Sequence, residues 1–238
     1  YQLEDLGYSG WEIVNEGRQR LTAENLPEAK RIVETTNLVI TIHLPYSDLN
    51  LASVNQPIWE ETVRQMKSCL DLACDFARRA VVHPGHFSPL GMHMPDAAWL
   101  QNIKGIQEIC DHALNLDMMI AVENMVNMPA ILGRRPEEIE GIIETVDRDN
   151  LGFILDIGHA NTNGNVEEFL KLRDLIIHVH AHDNCGERDE HLPVGNGTVP
   201  WEKVAASLNG YSGRIVTESR SLEEGQRSVK RLKKMFNR

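Results

Sequence analysis

Seven short apolar runs rich in β-branched residues recur along the chain, each followed by a loop and then by a longer segment of helical pattern. They are GWEIV at 10–14, LVITIHL at 38–44, AVVH at 80–83, MIAVEN at 119–124, LGFILDIGH at 151–159, LIIHVHAH at 175–182 and GRIVTES at 213–219. Amphipathic stretches at 56–79, 96–116 and 134–146 lie between them. Near-continuous apolar strands separated by helices require a parallel sheet covered on both faces, because a parallel crossover needs roughly a dozen residues or more. The pattern therefore predicts an α/β fold of the (β/α)8 TIM barrel type, as one domain over residues 1–238. YQLEDLGYSG reads as the end of a helix turning into a strand, so the eighth strand is expected to precede Tyr1. A doubly wound open sheet is the rival, and it is disfavoured because no G-x-G-x-x-G follows any run.

In such barrels the reacting groups stand at the carboxyl ends of the strands and in the loops beyond them. Here His43, His83, Glu123, Asp156 with His159, His180 with His182, and Glu218 each fall at or just past the end of a different run. An ionisable group at the end of an apolar strand is costly to desolvate unless it is paired or bound to a metal. One such histidine is ordinary structure, whereas six strands repeating the exception point to a shared cation. Imidazole and carboxylate without thiolate suit a divalent ion such as zinc, manganese or cobalt. IIHVHAHDNCGERDEH (176–191) adds a second ligand pair, Asp189 and His191.

The formal charge of −11 disfavours nucleic acid and anionic membrane as partners. The strand-end loops agree, since SDLNLAS (47–53) and HFSPLGMHMPD (86–96) contain neither Lys nor Arg. No run of about eighteen apolar residues suggests a membrane span, and a cytoplasmic location is the simplest expectation. Cys69, Cys74, Cys110 and Cys185 have neither C-x-x-C spacing nor the density of a disulfide scaffold. Whether the chain forms a homo-oligomer is open on the sequence.

ITIHLPY, VVHPGH, AVENM, LDIGHA, HVHAHDN, DEHLPVGNGTVPW and VTES, in this order, resemble the xylose isomerase-like barrel superfamily. That superfamily contains sugar isomerases and epimerases as well as apurinic endonucleases of the endonuclease-four type. On the isomerase side, the resemblance implies one ion held by Glu123, Asp156, His180 and Glu218, with Glu123 and Glu218 moving the proton. His159 and His182 would then contact a sugar or sugar phosphate. On the endonuclease side it implies up to three zinc ions, with His43, His83, His159, Asp189 and His191 as additional ligands and phosphodiester hydrolysis as the reaction. The start LGYSGWEIVNEG resembles the sugar-isomerase pattern and brings in Glu12; Trp201 is a further candidate for the substrate pocket, although packing the start of a helix is its simpler role. The expected activity is therefore a metal-dependent isomerase or epimerase. The alternatives are a three-zinc phosphodiesterase and a barrel that binds metal or sugar without turnover.

Overall fold

The computed structural model describes residues 2–236. All seven runs form strands: β1 (Gly10–Val14), β2 (Val39–His43), β3 (Ala77–Val82), β4 (Met119–Glu123), β5 (Leu151–Asp156), β6 (Ile176–Ala181) and β7 (Arg214–Thr217). The helices are α1 (Gln2–Asp5), α2 (Leu26–Thr35), α3 (Gln56–Ala73), α4 (Pro89–His93), α5 (Pro95–Leu114), α6 (Pro136–Val146), α7 (Ile157–Thr162), α8 (Val166–Phe169), α9 (Trp201–Ser207) and α10 (Leu222–Met235). The strands lie in a single sheet in the order β1 to β7, and the registered pairs are parallel. A doubly wound sheet reverses its order at a switch point. This one does not, so the topology is that of the (β/α) barrel class.

Two boundaries differ from the sequence pattern. The helix expected over 56–79 stops at Ala73, and Ala77–Arg79 belong to β3. The buried stripe Met66, Cys69, Leu70 and Ala73 runs at helical spacing, and Phe76 and Ala77 prolong that spacing by coincidence, which disguises the break. The run 151–159 divides at Asp156, whose carboxylate accepts the His159 backbone N–H at 2.6 Å and caps α7. His159 therefore projects from a helix rather than from a strand.

The chain forms two compact units, one comprising the residues up to Val122 with 130–132 and 142–152, the other Glu123–Pro129, Gly133–Gly141 and everything from Phe153 on. In the first, α3 packs on α5, with the Trp59 indole N–H donating to the Gln101 carbonyl at 3.0 Å. Ile40, Ile42, Ala80 and Val82 are buried on the strands, each large side chain contributing about 1.5–3 kcal/mol. In the second, Phe153 stacks on Phe169 at 5.7 Å, and Leu155, Val179 and Val204 are fully buried. Among the described residues, no helix is long and apolar enough to cross a membrane.

Candidate active site

The second unit gathers Glu123, Asp156, His159, His180, His182, Asp189, His191 and Glu218. Glu123 and Asp156 are the last residues of β4 and β5, His180 faces Asp156 in the β5–β6 register, and Glu218 follows β7 directly. His180 Nδ1 lies 3.1 Å from Glu123 Oε1, 3.1 Å from Glu218 Oε1 and 3.7 Å from Asp156 Oδ2. His182 Nε2 is 3.1 Å from Asp156 Oδ1 and 3.5 Å from Asp189 Oδ1, and its ring stacks on His191 at 4.1 Å. His159 Nε2 stands 3.4 Å from Asp189 Oδ2. Glu123, Asp156, His180 and His182 are buried, whereas the side chains of Glu218, Asp189 and His191 are 22%, 26% and 33% exposed. The cluster thus has a closed back and a wet front.

Charge explains how these groups coexist. Burial alone would lower the pKa of His182, but the Asp156 carboxylate and its hydrogen bond, with Glu218 and Asp189 behind them, push it up to about 9. His159 is likewise raised well above the ordinary histidine value, Asp156 and Asp189 outweighing its burial. Burial would raise Asp156 and Asp189, but Asp156 is held below the carboxylate range by the charges of His159 and His182. Asp189 is held down by its hydrogen bonds to His159 and His191. His159 and His182 are thus drawn toward their charged forms by the carboxylates, and Asp156 and Asp189 toward theirs by the histidines. Even so, Asp156 Oδ2 and Asp189 Oδ1 are buried and accept no hydrogen bond. Carboxylate and imidazole donors gather in three overlapping triads, Glu123–Asp156–His180, Asp156–His159–His182 and His182–Asp189–His191, each with ligand atoms within 4.8 Å of one another. This all-oxygen and nitrogen donor set, with carboxylate oxygens to spare, fits a divalent ion.

Two residues that sequence reasoning did not assign hold the cluster in place. Asn124, fully buried, exchanges two hydrogen bonds with the Asp156 backbone at 2.8 and 2.9 Å. Its backbone carbonyl accepts from His159 Nδ1 at 2.9 Å, which fixes the ring with Nε2 facing Asp189. Asp183, also fully buried, accepts from the backbone N–H of Asn184, Gly195 and Val199 and from the Trp201 indole at 2.7–3.1 Å. A two-way backbone bridge to Leu192 completes the closure of the loop that delivers Asp189 and His191. Trp201 is 5% exposed and spends its indole N–H on Asp183, so it packs the loop at the start of α9 instead of offering that donor to a substrate. In the sequence both residues sit beside strand-end polar groups, AVEN and HAHDN, and that adjacency was the available signal.

The first unit holds the remaining candidates. His43 ends β2 and His83 follows β3. His43 Nδ1 donates to the Leu44 carbonyl at 2.9 Å, leaving Nε2 directed at His83 Nε2, 3.1 Å away. Tyr46 stacks on His83 with ring centres 4.6 Å apart. Glu12 lies in β1, 9% exposed, and accepts the Thr41 hydroxyl at 2.8 Å from the neighbouring strand.

Residues 1–235 match the xylose isomerase-like TIM barrel family, and the chain belongs to it. A solved structure described as a D-tagatose 3-epimerase-like protein superposes with a TM-score of 0.95 at 34% identity, over 99% of this chain and 91% of the other. Fructoselysine 3-epimerase of Escherichia coli O157:H7 is 22% identical over 230 residues, 90% of this chain and 82% of that protein. A probable endonuclease 4 of Mycobacterium leprae is 24% identical over 220 residues, 88% of this chain and 83% of its own length. The relatives thus include both sugar epimerases and endonuclease 4-like proteins.

Proposed function

We propose that the chain is a divalent-metal-dependent isomerase or epimerase acting on a sugar or sugar phosphate. The supporting observation is that Glu123 Oε1 and Glu218 Oε1 both stand 3.1 Å from the single atom Nδ1 of His180. With Asp156 Oδ2 3.7 Å from the same atom, three carboxyl groups converge on one imidazole, a donor set that suits a divalent ion. In this reading Glu123, Asp156, His180 and Glu218 would hold zinc, manganese or cobalt, and the ion would supply a Lewis acid for the carbonyl and adjacent hydroxyl of an open-chain sugar. The proton chemistry belongs to the two glutamates. One enters as carboxylate and takes the proton from the carbon beside the carbonyl, the C–H electron pair passing into an enediolate. The other enters as carboxylic acid and returns a proton to the opposite face, so configuration inverts without net oxidation. Asn124 fixes His159, and Asp183 fixes the loop carrying Asp189 and His191, where solvent-reachable groups are available to hold substrate hydroxyls. The similarity to two epimerase-described proteins agrees with this reading.

Phosphodiester hydrolysis is the second reading, favoured by the His43–His83 pair in one unit and by His159, Asp189 and His191 in the other, residue types that the resemblance to endonuclease four implies as additional zinc ligands. Two measurements separate the readings. Incubation with ketohexoses in D2O and manganese should label the carbon beside the carbonyl, and Glu123→Gln or Glu218→Gln should slow labelling by about 10²–10⁴-fold. Full labelling in either variant would refute the glutamate roles. Three zinc ions per chain together with cleavage of an abasic duplex would establish the hydrolase instead.

A further inference from the structure

Within the first unit, the loops that follow β2 and β3 line a cavity of about 780 Å³, in the size range of small-molecule sites. We propose that this cavity binds an organic cation, a protonated amine carried on an aryl or alkyl body, with the ammonium group at Asp48 and the body against the apolar wall.

Three segments of the unit brace the walls. Asn50 Nδ2 donates to the His86 carbonyl at 2.9 Å, while its Oδ1 accepts from His86 N at 2.9 Å and Ala52 N at 3.0 Å. Gly85 N donates to the buried Asn102 Oδ1 at 2.7 Å, and a Cβ at Gly85 would lie 2.2 Å from Ala52 N, so the two loops meet backbone to backbone. Phe87 N donates to Ala130 O and Leu132 N to Gly85 O, tying in the third segment. A ligand therefore need not bear the cost of ordering the walls.

Asp48 takes no part in this bracing. It stands third in a turn closed by the Leu49 N–H on the Tyr46 carbonyl at 3.2 Å, and the turn is anchored by Glu16 Oε1, which accepts from Tyr46 N and Ser47 N at 2.8 and 2.9 Å. The φ of Asp48 is +60°, a left-handed conformation that at this place in a turn favours glycine or asparagine. An aspartate relieves such strain by hydrogen bonding its carboxylate to nearby backbone. Among the described residues the Asp48 carboxylate makes neither a hydrogen bond nor an ion pair. A strained residue that holds an unengaged carboxylate at a cavity wall points to a ligand rather than to packing.

The rest of the lining sets the character of the occupant. Val54, Ile58, Leu90 and Ile131 supply hydrocarbon, Ile58 and Leu90 being 47% and 55% exposed, and Tyr46 adds an aromatic ring. Among the described lining residues there is no Lys or Arg, and burial pushes His86 toward its neutral form. An anion would meet the carboxylate without a lysine or arginine to offset it. A neutral apolar body would gain from the hydrocarbon alone, whereas an ammonium on the same body adds attraction to the carboxylate and to the ring.

The test is a titration of the full chain at pH 7 with three probes of matched shape, 2-phenylethylamine, 2-phenylethanol and phenylacetate, followed at the methyl NMR signals of Ile58 and Ile131. Both methyls should shift. The amine should bind about fivefold more tightly than the alcohol, and phenylacetate should bind more weakly than either. Asp48→Asn, whose side chain tolerates the same φ, should bring the amine down to the affinity of the alcohol and leave the alcohol unchanged. Leu90→Ser, at an exposed wall position, should weaken amine and alcohol alike with the thermal melt unchanged. Equal binding of amine and alcohol, tighter binding of phenylacetate, a preference for the amine that survives Asp48→Asn, undiminished binding in Leu90→Ser, or static Ile58 and Ile131 methyls overturns the proposal. Neither sugar nor metal enters the titration, so its outcome is separate from that of the isomerase reading.

Discussion

Gly158 lacks a side chain because the His182 ring occupies the place where one would stand; a Cβ at that position would fall 2.0 Å from His182 Cε1. Gly158→Ala should cost about 1–3 kcal/mol of overpacking as the His182 ring is displaced, visible as a lower urea midpoint. The buried thiols make a separate prediction. Burial pushes Cys69 and Cys110 up to about 12, so both remain protonated and unreactive at pH 8. Cys185 is exposed, but its hydrogen bond to Glu190 raises it as well, and it should react more slowly than an unperturbed thiol. Ellman's reagent at pH 8 should therefore reach Cys185 and Cys74 in the native protein and all four thiols only after denaturation. Rapid native reaction of four thiols would contradict the core packing.

At the scale of elements, the 183–201 loop depends on one carboxylate. Asp183→Ala leaves the backbone N–H groups of Asn184, Gly195 and Val199 and the Trp201 indole without their acceptor. A loss of about 2–4 kcal/mol is expected, with a shift in tryptophan emission as Trp201 loosens; unchanged emission and stability would show that water replaces the carboxylate at no cost. The strands were legible in the sequence because residues buried on both faces must be apolar, and the candidate ligands because charge at the end of such a run demands a reason. The end of α3 was obscured by accidental periodicity through Phe76 and Ala77. Short helices such as α4 and α8 are too brief to display a full apolar stripe. Asn124 and Asp183 escaped because their partners lie far along the chain; the Asn124–Asp156 contact spans 32 residues. An amide or a carboxylate in a loop has many unremarkable uses until its partners are known.

For the whole molecule, a divalent ion held by the carboxylate-rich second unit, as proposed, would contribute to stability as well as to chemistry. Ion at about a hundredfold over its dissociation constant adds about 2.7 kcal/mol to the folded state, equivalent to about 5–10 °C for a chain of this size. Chelator-treated protein should melt lower by that order, recover with manganese or zinc, and lose the response in Asp156→Asn. A melting point indifferent to chelation and re-addition would argue against a resident ion. The sheet order has a consequence of its own. Because each described strand after β1 sits beside the one synthesised immediately before it, the sheet can grow in the order of translation. The histidine-bearing strand β6 then arrives when β4 and β5 already offer Glu123 and Asp156, so the ion's seat is furnished late, onto a scaffold already laid down.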